Sequence, residues 1–592
     1  MIRDDLQRLI EAAVAKATAA GDLPTLPAPE VELEHPAKPE LGDFATNVAL
    51  RLQKAAKMPP RNVAAAITHH LELPASVSTV QVAGPGFINF FLADEWLREQ
   101  VDVILADGPH FGRATFGNGA KVQVEFVSAN PTGPLHVGAA RNAVLGDAVA
   151  RVLEATGHTV EREYYINDAG SQVLALGASV CVRYQQLHGI DVKFPENGYA
   201  GDYVADLARE ITDEHGAALL QLPADEAVKR IGPLCEARIL AWIKGDLADL
   251  GVRFDRWYSE KTLYEQGLFE TGLRLLREGG HVVERDGAVW FAAAEGSDER
   301  DNVLVRSDGR PTYFASDVAY HYDKFVLRGF DRVINVWAAD HHGHIARMKA
   351  VVEALGVDRD KLTVLLYQLV KLFQDGQELK MSKRAGTYVT VRELLDEVGV
   401  DAARYFLLSR SSDVTLNFDL NLAKQTSDEN PVFYVQYAHA RTASIFREAA
   451  NKLGAVSQQD GAASNDDGAV TYDYGTIPNG AGAPLHDDGD VRLLAAESEL
   501  TLIRKLLVFP EIVESAARTL SPHQLAFYVL DLAGTFSAFY RDCPVLPPRN
   551  TDLELTKSRL KLVAATRQVL ASALALIGVS APERMPERAT EA

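Results

Sequence analysis

Cysteine is scarce: the 592 residues hold three, at positions 181, 235 and 543. So widely separated, they supply neither a disulfide framework nor a zinc-binding spacing, and they point to a reducing, cytoplasmic setting. No run of 18 apolar residues occurs, so the sequence offers no membrane span. The opening stretch MIRDDLQRLIEAAVAKATAAG lacks the basic start and apolar centre of a secretory signal. Its Leu6, Leu9, Ile10, Ala13 and Val14 fall instead at the spacing of an amphipathic helix. Basic residues are also in deficit, 60 Lys and Arg against 81 Asp and Glu, for a formal charge of −21. That balance argues against a protein that coats nucleic acid unselectively. A local basic face still permits a selective RNA partner.

The length exceeds what one hydrophobic core sustains, and three or four domains are expected. Residues 1–108 alternate helical patterns with a strand-like end, GPGFINFFL, and suggest a small α+β domain. From Lys121 the order becomes strand (KVQVEFVSAN), loop (NPTGPL), helix (HVGAARNAVLGDAVARVLEATG) and strand (TVEREYYIND), which is one βαβ unit. A second unit follows in DRVINVWAAD, HHGHIARMKAVVEALG and LTVLLYQLV. Residues from about 171 to 305 read as a helix-rich insertion between the two. The predicted fold class is therefore α/β. A doubly wound, Rossmann-type parallel sheet carries a helical insertion over 109–428, with ligands at the carboxyl ends of its strands. Residues 429–592 predict an all-α bundle. It is interrupted over Leu453–Asp490 by seven glycines and seven aspartates without one lysine or arginine, a solvated acidic loop by composition.

Two words carry chemistry. His136 follows a Gly/Pro loop and opens a helix, where unpaired backbone N–H groups welcome an anion. Gly138, without a side chain, lets a flat ring approach the backbone. Downstream, ELKMSKRAGTYVTV sets Lys380, Lys383 and Arg384 among small residues, as a mobile loop able to close over a triphosphate and neutralise a departing pyrophosphate. A capping histidine and a solvated basic turn are the bland alternatives for each word taken alone. The four-residue spacing of Tyr313 and Asp317 in TYFASDVAY brings a phenol and a carboxylate to one helical face. In ADHHGH, neighbouring histidines on a turn point different ways, and no metal site is expected.

Together, VEFVSANPTGPLHVG, YYINDAGSQV, TYFASDVAYHYDKF, VWAADHHGHIARMKA, KMSKR and NPVFYVQYAHAR resemble the arginyl-tRNA synthetases, a family of class I aminoacyl-tRNA synthetases. LGDFATN and GPGFINF are similar to that family's extra N-terminal domain. The resemblance spans nearly the whole chain. It implies an ATP-dependent ligase that activates L-arginine to arginyl-adenylate and transfers it to the 2′-hydroxyl of the terminal tRNA adenosine, with Mg²⁺ accompanying ATP and no tightly bound metal. It implies catalytic roles for His136, Lys380 and Lys383, with ATP also held by Gly138 and Asn142. Arginine contacts fall on Glu125, Ser128, Asn130, Tyr313, Asp317 and His341. The family usually has a second histidine where Ala139 stands. The expectation is an active enzyme with one phosphate donor replaced, Asn142 or a lysine compensating.

By the same resemblance the C-terminal helices bind the anticodon. Tyr434 and Tyr437, with His439 and Arg441, offer groups suited to stacking on splayed bases. Phe536, Phe539 and Tyr540 look like packing. The N-terminal domain touches the tRNA elbow, where Lys54, Lys57 and Arg61 are candidate phosphate contacts. A monomer is expected, with no membrane partner. Three rivals stay open: a class I enzyme for another amino acid, which Asp317 opposes; a small-molecule nucleotidyltransferase, which needs no RNA-binding block; and an inactive RNA-binding paralogue, supported only by Ala139.

Overall fold

The computed structural model describes residues 1–169, 172–196, 198–292, 302–379, 388–452 and 488–585. Lys380, Lys383 and Arg384 lie outside the described residues, as do 453–487 of the acidic segment. The chain divides into two units. One comprises Met1–Phe111, Ala438–Pro510 and Leu532–Leu570; the other comprises Gly112–Tyr437, Glu511–Asp531 and Ala571–Ala592.

The first unit opens with α1 (Ile2–Ala20), which buries Leu6, Ile10, Ala13, Val14 and Ala17 and ends at Gly21 in the left-handed conformation, φ 85°. Asp4 and Asp5 in its first turn suit the helix dipole. There follow β1 (Phe44–Thr46), α2 (Val48–Ala56), α3 (Pro60–His69), β2 (Val77–Ala83), β3 (Phe87–Leu92) and α4 (Asp94–Asp107). The three strands form an antiparallel sheet in the order β1-β3-β2. Asp43 of LGDFATN is structural: its Oδ2 accepts the Leu92 N–H at 2.7 Å, and its Oδ1 accepts Arg504 Nε at 2.7 Å.

In the second unit, β4 (Lys121–Glu125), α5 (Val137–Ala155) and β5 (Thr159–Ile166) build the first βαβ turn. Helices α6 (Gln172–Leu187), α7 (Asp202–His215) and α8 (Ala224–Asp249) come next, then β6 (Arg256–Ser259), α9 (Lys261–Glu265) and α10 (Leu268–Glu278). Strands β7 (Val282–Arg285), β8 (Ala288–Phe291) and β9 (Asn302–Val305) form a small antiparallel sheet. Then come α11 (Tyr313–Tyr322), β10 (Arg332–Ala338), α12 (Ile345–Ala354), β11 (Leu362–Tyr367), β12 (Val370–Gln374) and β13 (Gln377–Glu378). The series ends with α13 (Val391–Val398), α14 (Val400–Leu408), β14 (Leu416–Asp419) and α15 (Leu420–Lys424).

The main sheet runs β11-β10-β4-β5-β6 and is parallel throughout. Counted along the chain from β4, that is the doubly wound Rossmann order. Its central strands are buried on both faces; Val122, Val124, Val333 and Ile334 are inaccessible to solvent. The expected helix-rich insertion needs correcting. Within it, after α8, β6 pairs in parallel with β5 as an edge of the main sheet, Tyr164 opposite Trp257. Four residues are too few for an alternating pattern to register, and the ring of Trp257, 4.5 Å from that of Tyr164, decides their placement. LTVLLYQLV likewise runs past its strand: β11 ends at Tyr367, and Val370 opens β12, which leaves for a second sheet in the order β13-β12-β14.

The remaining helices are α16 (Pro431–Lys452), α17 (Glu497–Leu507), α18 (Phe509–Thr519), α19 (His523–Asp542) and α20 (Leu553–Ile577). Helix α20 is long and apolar enough to cross a membrane by composition, yet 72 % of its apolar window is buried within the fold. That is the behaviour of a core helix.

Candidate active site

The order of the main sheet reverses between β4 and β10, and the crevice at their carboxyl ends is where such folds take ligands. Strand β4 ends at Glu125 and leads into a loop with Val127 at φ 65° and Ser128 at φ 41°. A β-branched residue is strained in that region, and such strain persists only where neighbours impose it. Here the Val127 N–H donates to Asn142 Oδ1 at 2.8 Å, and Ser128 Oγ accepts the Tyr165 N–H at 3.2 Å.

His136 caps α5 from extended backbone, its Nδ1 accepting the Ala139 N–H at 3.3 Å. With Nδ1 as acceptor, the neutral ring carries its proton on Nε2. The flat ring lying against Gly138 belongs to His136 itself: a Cβ at Gly138 would come 2.8 Å from its Cε1 and 2.9 Å from its Nδ1. The glycine therefore makes room for the signature histidine, a nearer cause than the approach of a nucleotide ring. The segment after KMSKR returns to the same place. The Val137 N–H donates to Val389 O at 3.1 Å, and the Val391 N–H to Leu135 O at 2.8 Å, bridging His136 to Thr390. Thr390 then caps α13, in a capping box with Glu393. Backbone pairing thus joins two words far apart in sequence.

One expectation about phosphate donors is corrected. Asn142 is 4 % exposed; its Oδ1 holds the Val127 N–H, and its Nδ2 donates to Val336 O at 3.1 Å. It stitches the loop after β4 to β10 and is committed to the protein. Ala139, at the position of the second signature histidine, is 6 % exposed.

On the other side of the crevice, Glu125 is 8 % exposed, with Oε1 accepting from Ser128 Oγ at 2.9 Å and Oε2 from Lys324 Nζ at 2.5 Å. Asp317 of α11 lies within electrostatic reach of Glu125 and Glu260. Burial, then the negative charges of Glu125 and Glu260, push its carboxyl up to about 7, against the opposing pull of Arg347 and Lys324. Tyr313, one turn earlier on α11, is exposed, and Asn130 Nδ2 donates to Gln172 Oε1 at 2.8 Å. His341 is exposed on the short 3₁₀ turn Ala339–His344 between β10 and α12. Its Nε2 lies 3.8 Å from Asp340, and its ring 6.2 Å from Trp337.

Two residues escaped the sequence reading. Glu260, just after β6, is 3 % exposed; burial raises its carboxyl, while the hydroxyls of Ser316 and Tyr165 oppose the rise. Lys324 is fully buried beneath Glu125. Glu260 stands in the unremarked word YSEK and Lys324 at the end of the family word TYFASDVAYHYDKF, where an acidic or basic residue reads as solvated surface. Among the described residues, donor atoms of Asp22, His69 and His70 come within 4.8 Å of one another. The 2.8 Å bond from His70 Nε2 to Asp22 Oδ2 accounts for their closeness.

Of the RNA candidates, Tyr434, Tyr437 and Arg441 are half-buried on α16. The ring of Tyr437 lies 6.3 Å from that of Phe433, and the Arg441 guanidinium lies 5.3 Å from the centre of the Tyr540 ring. His439 is corrected: at 2 % exposure it faces the core. Phe536 and Phe539 are buried, as expected of packing. Lys54, Lys57 and Arg61 are exposed.

A Rossmann-order sheet whose switch point joins a histidine-capped helix to a carboxylate-lined recess is the plan of a class I aminoacyl-tRNA synthetase. Residues 100–446 match the family description "tRNA synthetases class I (R), catalytic domain". Residues 4–92 match the arginyl-tRNA synthetase N-terminal domain, and 475–585 the DALR anticodon-binding domain. An arginine–tRNA ligase of Dehalococcoides mccartyi is 46 % identical over 99 % of both chains, and one of Carboxydothermus hydrogenoformans is 47 % identical over 94 % of both. The solved Thermus thermophilus arginyl-tRNA synthetase superposes with a TM-score of 0.73, at 26 % identity, over 99 % of this chain and 100 % of its own. The chain belongs to the arginyl-tRNA synthetase family. It is accordingly an enzyme, a ligase that joins arginine to tRNA.

Proposed function

We propose that the crevice holds arginine and ATP side by side. Arginine lies against Glu125, Ser128, Asn130, Tyr313, Asp317 and His341, and ATP against His136, Gly138 and the loop of Lys380 and Lys383. The observation that carries this reading is the electrostatic proximity of Glu125 and Asp317, with Glu125 at the carboxyl end of the strand that leads to the capped start of α5. A site for an elongated cation adjoins a site for a polyanion.

In the first step an oxygen of the arginine carboxylate attacks the α-phosphorus, and the bond to the bridging oxygen of pyrophosphate breaks. The His136 Nε2–H and the first N–H groups of α5 meet the charge on phosphate. Lys380 and Lys383, assigned on their motif alone, meet the charge on the leaving group. The work is positioning and charge stabilisation. In the second step the 2′-hydroxyl of the terminal tRNA adenosine attacks the arginyl carbonyl and AMP leaves. Mg²⁺ would accompany the triphosphate, whose oxygens suit it as hard ligands.

For RNA, residues 429–592 are assigned to the anticodon and 1–108 to the elbow, with 109–428 as the catalytic domain. Tyr434, Tyr437 and Arg441 stack on or pair with bases, while Lys54, Lys57 and Arg61 meet phosphates. The scarcity of cysteine supports a cytoplasmic setting, and family resemblance supports a monomer. ATP–pyrophosphate exchange with each amino acid, with and without tRNA, tests the whole reading. Exchange is expected with arginine alone and only when tRNA is present. Exchange with another amino acid would overturn the pocket assignment.

A further inference from the structure

Resting on the reading of Glu125 and Asp317 as the arginine pocket, we propose that Lys324 is a positioning residue for arginine: from beneath the pocket its ammonium fixes the Glu125 carboxylate and leaves Asp317 to meet the substrate. A π-helical turn, Asp323–Leu327, directly continues α11. Such widened turns re-aim side chains and recur at functional sites. This one carries Lys324 fully inside, where Nζ lies 2.5 Å from Glu125 Oε2, 3.2 Å from Asn335 Oδ1 and 4.0 Å from the centre of the Tyr320 ring. Two oxygens and one aromatic face occupy the three N–H donors of the ammonium.

The bonds beyond Lys324 return to the pocket. Asn335, its Oδ1 on Lys324, donates through Nδ2 to His321 Nε2 at 3.2 Å, and His321 Nδ1–H donates to the Asp317 carbonyl at 2.8 Å. For both contacts the imidazole must be neutral, with its proton on Nδ1. Burial, with the charge of Lys324 next, lowers its pKa to about 3 and secures that form. The chain Glu125–Lys324–Asn335–His321–Asp317 therefore has one consistent donor direction outward from Lys324 on one side and through Asn335 on the other. It runs from the Glu125 carboxylate to the backbone carbonyl of Asp317, one turn before His321 on α11. Tyr320 is fixed in turn by its hydroxyl, which donates to the buried Glu163.

Charge explains the need for it. Glu125, Asp317 and Glu260 stand within electrostatic reach of one another and of Tyr165, and a buried carboxylate is tolerated only when paired. Lys324 offsets Glu125 permanently, so that an arriving guanidinium has one carboxylate to satisfy. A lysine serving the fold alone would have no reason to act on arginine selectively.

The test is steady-state aminoacylation by the full-length enzyme, comparing KM for arginine, KM for ATP and kcat. Lys324→Met is expected to raise the arginine KM by about 30-fold or more while changing the ATP KM by less than about 3-fold. In a Glu125→Gln background, adding Lys324→Met should shift the arginine KM by less than about 3-fold, because the group it positions is already neutral. That comparison also serves where the single variant does not fold. A fall in kcat with an unchanged arginine KM, or an equal rise in both KM values, overturns the proposal, as does a further selective loss in the Glu125→Gln background. Asp317→Asn separates the two readings. If it too leaves the arginine KM unchanged, the pocket assignment itself is wrong; if it raises that KM and Lys324→Met does not, only the role of Lys324 falls.

Discussion

The N–H of Ala139 donates to Nδ1 of His136 at 3.3 Å, so the signature histidine closes the first turn of its own helix with one nitrogen and presents the other as a donor. The two tasks can be separated by substitution. Asparagine is among the best N-caps and has no imidazole. His136→Asn should melt within about 1 kcal/mol of the parent, yet lose about 100-fold or more in ATP–pyrophosphate exchange. His136→Ala should lose both cap and exchange. Near-parental exchange in His136→Asn would sink the phosphate role.

Gly138→Ala asks whether the imidazole needs its seat. Alanine favours a helix over glycine by up to about 1 kcal/mol, so thermal stability should hold or rise. The added Cβ, 2.8 Å from His136 Cε1, must push the ring aside. Exchange activity is expected to fall about 10-fold or more, by the cost of misplacing one charge-stabilising donor. Unchanged activity would mean that the ring position is not critical.

Asp317→Asn should weaken arginine far more than ATP. Truncating one partner of a buried charge pair costs about 2–5 kcal/mol, or roughly 30-fold and upward in the arginine KM. Equal losses for both substrates would remove Asp317 from the guanidinium site.

Arginine binding should strengthen with pH through neutrality. The Asp317 carboxyl stands near 7 in the free enzyme because of burial and the nearby Glu125 and Glu260. Its unfolded value is 3.8, so this group stabilises the empty fold at low pH, and that contribution is lost as pH rises from 3.8 towards about 7. Bound guanidinium reverses the preference by pairing with the ionised form. Arginine affinity at pH 6 should therefore be about 10-fold weaker than its plateau above pH 8, with uptake of arginine releasing close to one proton at pH 6. Isothermal titration in two buffers of different ionisation enthalpy measures that proton. A flat profile in the parent would show that Asp317 ionises normally.

Much of the catalytic unit was legible in one dimension. Period-two strands at β4 and β5 flank a period-3.6 helix, and the Gly/Pro loop between them marks where α5 begins. The Tyr313–Asp317 spacing survives as one face of α11. The reading failed where the deciding interaction was remote. Strand β6 has four residues, and only its parallel pairing with β5 defines it. Asn142 looked like a ligand because local order places it one turn into the signature helix; its contacts to Val127 and Val336 come from elsewhere in the sheet.

The sequence by itself determined the chemistry on offer: a histidine at a helix start, a basic loop, a carboxylate one turn from a tyrosine, and the ordered words that mark the family. These are local patterns, set by backbone periodicity and residue type. Only the tertiary structure decided which of those groups are committed to the protein and which face the crevice. It turned Asn142 and His439 inward, seated the His136 ring on Gly138, and placed Lys324 under Glu125 from 199 residues away. A charge is costly inside a protein unless a partner meets it, and that partner is chosen by packing rather than by sequence neighbourhood.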